Sequence, residues 1–166
     1  MKLDGKTSMK TIIRRAEQQD YEAVERIMKQ VQHLHVCLRP DLYRDADTVV
    51  SREYYEQSAG SGVWWVAETD GTVSGVVEIY RRKYSAPVQT ARETIYIASI
   101  AVDEPLRSQG IGHMLLQKVK DLRDEAGLDG IELQVNVRNA SAMKLYESFG
   151  FTPESINMEL LKEEHR

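Results

Sequence analysis

The stretch from Ile111 to Ala126 constrains the fold most. Ile111, Leu115, Val119, Leu122 and Ala126 recur at near-helical spacing and form one apolar stripe, with Gly127 following where such a helix stops. A strand-like run rich in β-branched residues, "ETIYIASIAV", precedes this helix. Another, "GIELQVNV", follows it, with Ile131, Leu133, Val135 and Val137 alternating on one face. Strand, helix and strand in this order make a β-α-β unit, whose two strands run parallel.

The remaining elements fit around that unit. "TIIRRA" reads as a short first strand. Asp20 is then positioned to cap a helix carrying Val24, Ile27, Met28, Val31 and Leu34, and "TVVSREYYEQSA" reads as a shorter second helix. "GVWWVAE" and "TVSGVVEIY" are strands joined through Asp70-Gly71, a hairpin signal because both residues tolerate positive φ. The polar "RRKYSAPVQTAR" reads as an exposed connection. "NASAMKLYESFG" is a helix capped by Asn139 and ended by Gly150, and "FTPESINMEL" reads as a closing strand. The expected order is therefore β-α-α-β-β-β-α-β-α-β, an α/β fold with a mixed central sheet.

With 166 residues this is expected to be one domain, residues 9–166, behind a loose extension at residues 1–8. No apolar run approaches the roughly 18 residues of a membrane span, so no membrane partner is expected. A net charge of -4 argues against a nucleic-acid partner, which requires a clustered basic surface. The single Cys37 fits a reducing compartment, and the expected location is cytoplasmic.

"RSQGIG", Arg107 to Gly112, joins the fourth strand to the long helix, where free N–H groups and the positive dipole end suit an anion. It lacks the third glycine of the dinucleotide fingerprint and the Gly-Lys-Ser/Thr ending of a Walker loop. Alone, it stays open between a phosphate cradle and a plain helix-starting turn.

The run "IASIAVDEPLRSQGIGHMLLQKVKDLRDEAG" with "IELQVNVRNASAMKLYESFGF" resembles the GNAT superfamily of N-acetyltransferases. Arg107, Gly110 and Gly112 match its acetyl-CoA motif, while Asn139, Tyr146, Gly150 and Phe151 match its downstream pattern. The resemblance implies a single-domain GNAT fold with acetyl-CoA in a cleft where the fourth and fifth strands splay apart. It implies that main-chain groups of Ile100 and Val102 contact the pantetheine arm. The pyrophosphate would then lie on N–H groups of Arg107, Ser108, Gln109, Gly110, Ile111 and Gly112, with Asn139 and Ser141 as further cofactor contacts. Tyr146 takes the role of general acid, since a phenol of pKa about 10 can protonate a leaving thiolate.

The acceptor amine must be deprotonated to attack. Glu78, Tyr96 and Ser99 are the candidates for that step, directly or through water, with Glu78 carried forward as the catalytic base. "HLHVCLRPDLYR" holds two histidines and a cysteine but no complete ligand set, so no metal is expected, and its Asp41 and Tyr43 are candidates for the acceptor pocket. The expected activity is acetyl transfer to a primary amine of a small molecule or a peptide or protein. A non-catalytic acetyl-CoA sensor is the alternative, and a homodimer is expected from the resemblance.

Overall fold

A computed structural model of the chain describes residues 9–162; the expected extension at residues 1–8 lies outside the described residues. Strands β1 (Thr11–Arg15), β2 (Trp64–Thr69), β3 (Thr72–Tyr84), β4 (Arg92–Val102) and β5 (Gly130–Leu133) form one sheet in sequential order. The first four pair antiparallel, and β4 pairs with β5 in parallel. Helices α1 (Tyr21–Leu38), α2 (Arg52–Ser58), α3 (Ile111–Glu125) and α4 (Ala140–Phe149) complete the structure.

Alternation along β3 divides the core between two faces of the sheet. Val76 packs with Val24, Ile27, Tyr55 and Trp64 under α1 and α2. Val77 and Ile79 pack with Ile111, Leu115 and Val119 of α3 on the opposite face, where Leu145 and Phe149 of α4 join them. Gly75 permits the close approach of α3: a Cβ there would lie 3.1 Å from Ile111, from Leu115 and from the Ala101 carbonyl oxygen. Asp70 and Gly71 take positive φ in the β2–β3 turn, as the hairpin signal implies.

Four expectations are corrected. Asp20 does not cap α1 with its side chain. Its carboxylate instead pairs with both terminal nitrogens of Arg14, at 2.7 and 2.9 Å, and accepts from the Glu17 N–H. The connection "RRKYSAPVQTAR" is strand for its first four residues, because β3 continues against β4, with Arg82 stacked on the Tyr96 ring and Lys83 paired to Glu93 at 2.9 Å.

The fifth strand ends at Leu133 rather than Val137, whose side chain is exposed. Its partner explains this: pairing stops at Ile97–Leu133, just before an extra residue, Ala98, interrupts the β3–β4 ladder and redirects β4. Finally, "FTPESINMEL" forms no strand among the described residues. Ile156, Met158 and Leu160 alternate as one strand face does, but they are 77, 92 and 91% exposed, with no neighbouring strand to complete a ladder.

Candidate active site

The bulge at Ala98 builds the site. Ile95 and Ile97 face α3, and normal alternation would place Ser99 with them; the extra residue reverses the parity. Ser99 therefore stands opposite Glu78 and lines the same cavity, of about 470 Å³, under α1. Met28, Val31, Val49, Val50 and Trp64 supply most of its apolar wall.

Glu78 is 9% exposed. The Tyr54 hydroxyl donates to its Oε1 at 2.5 Å, and the Tyr80 hydroxyl donates to the same oxygen. Burial and the Glu78 carboxylate push both phenols above the ordinary tyrosine range, so they remain proton donors. The sequence reading passed over both tyrosines. Tyr80 lies two residues from Glu78 on its strand, and that period of two was the available signal.

The wall formed by Val49 and Val50 has no regular secondary structure and is fixed from below. Glu25 of α1, itself buried, accepts from the N–H groups of Val49 at 3.0 Å and Val50 at 2.8 Å. His35 also lines the cavity, and burial holds its imidazole below the usual histidine range. Asp41 and Tyr43 do not line it. Asp41 is held by Arg39 at 2.9 and 2.6 Å, and Tyr43 packs against His35. Among the described residues no group of three or more His, Cys, Asp or Glu side chains could hold a metal ion.

On the other edge of β4, residues beyond Ile97 have no partner in β5. The Asp103 N–H donates to Ser74 of β3 at 2.8 Å, and backbone groups alternate sides along a strand, so the main-chain groups of Ile100 and Val102 face the open edge. The Arg107 Nε donates to the Val102 carbonyl at 3.2 Å. Past this edge Ser108 and Gly110 take φ of +62 and +83°, and α3 begins on Gly110 without a side-chain cap. The first N–H groups of α3, at Ile111, Gly112 and His113, are thus left for an anion, beside the exposed Ser108 and Gln109.

Gly112 also has a packing role, since a Cβ there would meet Leu145 of α4 at 3.1 Å. Gln30 of α1 secures the approach to the loop. Its Oε1 accepts from the Glu104 N–H at 2.9 Å and from Arg107 at 3.3 Å, while its Nε2 donates to Asp103, which also pairs with Arg26 at 2.5 Å. The spacing of Arg26 and Gln30, four apart beside the apolar stripe of α1, was their only trace in the sequence.

Asn139 caps α4 by accepting from the Ala142 N–H at 3.2 Å, and Ser141 is exposed in the first turn. Tyr146 lies on α4 against Phe151 and does not line the Glu78 cavity; burial pushes its phenol up to about 12.

The sheet thus presents a free strand edge leading to an uncapped helix start on one side and a largely buried carboxylate on the other. The profile described as "Acetyltransferase (GNAT) family" matches residues 28–151, and the chain belongs to that family. It is similar to N-alpha-acetyltransferase 30 of Xenopus laevis, 43% identical over 56 residues, which are 34% of this chain and 20% of that protein. It is also similar to the [ribosomal protein bS18]-alanine N-acetyltransferase of Escherichia coli strain K12, 35% identical over 71 residues, 43% of this chain and 48% of that protein. The chain thus spans about a fifth of the first relative's length and about half of the second's.

Among solved structures, the tetramutant of the BH1408 protein from Bacillus halodurans superposes with a TM-score of 0.83 at 28% identity, covering 91% of this chain and 99% of that one. The aminoglycoside N-acetyltransferase AAC(6')-Iy in complex with CoA shares the fold, with a TM-score of 0.69 at 14% identity over 95% and 98% of the two chains.

Proposed function

We propose that this protein transfers an acetyl group from acetyl-CoA to a primary amine within a ternary complex. The observation that carries the reading is the double role of one short segment. Ser99 lines the carboxylate-bearing cavity, while its neighbours Ile100 and Val102 turn their main-chain groups to the unpaired edge that leads to the free N–H groups of α3. Donor and acceptor sites therefore meet at β4.

Acetyl-CoA supplies an acetyl thioester: the amine nitrogen gains the acetyl group and CoA departs as thiolate. Main-chain groups of Ile100 and Val102 hold its arm. The N–H groups from Arg107 to Gly112 hold its pyrophosphate, with Asn139 and Ser141 beside them. Glu78 accepts the ammonium proton, directly or through water. Tyr146, kept protonated by burial, returns a proton to the thiolate.

Residues 9–166 are the N-acetyltransferase domain in this reading. A homodimer belongs to the same reading, supported by the alternating exposed Ile156, Met158 and Leu160. No helix among the described residues is long and apolar enough to cross a membrane, and the reading places the protein in the cytoplasm.

Thermal shift with acetyl-CoA, combined with thiol release across an amine panel, tests the function. Stabilisation together with amine-dependent thiol release is expected. Stabilisation without turnover on any amine points to the sensor alternative instead.

A further inference from the structure

Charge and shape in the Glu78 cavity restrict the acceptor. Met28, Val31, Val49, Val50 and Trp64 give it an apolar wall, and Glu78 is the one carboxylate among the residues that line it. The other titratable side chains facing it are His35, kept neutral near pH 7 by burial, and Tyr54, kept protonated. Glu25 lies behind the wall, and its two oxygens are taken by the N–H groups of Val49 and Val50.

Tyr54 and Tyr80 both donate to Oε1 of Glu78, which leaves Oε2 to receive a donor from the cavity. One open carboxylate oxygen matches one ammonium group. A second ammonium held against the apolar wall would have no carboxylate partner there, and a desolvated charge without one is disfavoured.

We infer that the acceptor is a primary amine with a single positive charge and a compact apolar body, its nitrogen at Glu78 and its body between α1 and the Val49–Val50 wall. This inference rests on the transferase reading above. It makes Tyr54 and Tyr80 positioning residues, which fix the Glu78 carboxylate and leave the reacting atoms to it.

The test compares kcat/KM, from thiol release, for phenethylamine, ethanolamine, spermidine and kanamycin. Phenethylamine is expected to exceed the other three by about tenfold or more, the scale on which an apolar pocket discriminates. In a Ser51→Asp variant, a second carboxylate enters the cavity wall while α2 keeps an equally good cap. Its ratio of spermidine to phenethylamine turnover is expected to rise.

Preference for spermidine or kanamycin in the unmodified protein overturns the substrate class and leaves the transferase standing. Equal use of ethanolamine and phenethylamine removes the apolar body, and an unchanged ratio in Ser51→Asp removes the single-charge argument. Thiol release with none of these four amines overturns this inference, while release with a peptide amine in the same assay leaves the transferase reading standing.

Discussion

Glu78 on β3 stands directly opposite Ser99 on β4, and both line one cavity because Ala98 adds a residue to β4 between Ile97 and Ser99. The same irregularity falls where β4 and β5 cease to pair. One extra residue thus puts Ser99 in the cavity with Glu78 and begins the unpaired edge of β4.

If Glu78 accepts the ammonium proton, Glu78→Gln lowers kcat by about 10²-fold or more near neutral pH, the usual weight of a general base. Acetyl-CoA affinity should stay within about twofold, since the cavity lies across β4 from the donor edge. Rates and pH profiles of the two proteins check this. An unchanged profile transfers the role to a water relay that does not depend on Glu78.

Tyr146→Phe should reduce kcat by about 10²-fold while acetyl-CoA binding is retained. Burial raises the phenol to about 12, so it holds its proton throughout the neutral and mildly alkaline range. An alkaline loss of activity centred below about pH 10 that disappears in Tyr146→Phe would contradict that placement.

Two glycines separate packing from ligand binding. Gly75→Ala forces a Cβ against Ile111, Leu115 and a backbone oxygen, and should cost about 1–3 kcal/mol of stability without weakening acetyl-CoA binding to the folded protein. Gly110 has open space around it and a φ of +83°, so Gly110→Ala costs about 1–2 kcal/mol through backbone strain. That strain is relieved only by distorting the loop, so acetyl-CoA binding should weaken as well. Denaturant unfolding and calorimetric titration distinguish the two patterns.

Asp103 links α1 to the loop and gives stability an acid dependence. Burial raises its carboxyl, but Arg26 and Gln30 lower it further, leaving it below the ordinary carboxylate value. A depressed carboxylate stabilises the fold fully above its unfolded pKa of about 3.9 and loses that contribution as pH falls through the folded value. Asp103→Asn should therefore lower Tm at pH 7 and shrink the difference between pH 7 and about pH 3. An equal loss of Tm at both pH values would show that the ionised form carries no advantage.

Features encoded by neighbouring residues were legible in the sequence: the stripe of α3, the Asp70-Gly71 turn and the Asn139 cap all follow from short-range spacing. Of the candidate site, the motifs marked Arg107 to Gly112 and Asn139 to Phe151, while Glu78 and Ser99 could be named from their strands but not brought together. The bulge was not, because nothing in "IYIASIAV" distinguishes Ala98 as an extra residue until β3 is laid beside it. The links from Glu25 to Val50, Tyr54 to Glu78 and Arg26 to Asp103 join residues 25, 24 and 77 positions apart, where sequence periodicity carries no information. The closing segment shows the opposite failure: Ile156, Met158 and Leu160 have the alternation of a strand, but a strand also requires a neighbour.

The most direct test of the account is to quantify free thiol and acetylated amine together in one reaction of the protein with acetyl-CoA and phenethylamine. The account predicts that both appear in equal amounts, at a rate that rises with amine concentration and collapses in Glu78→Gln. Acetyl-CoA that binds but releases thiol at the same slow rate with or without amine would contradict it.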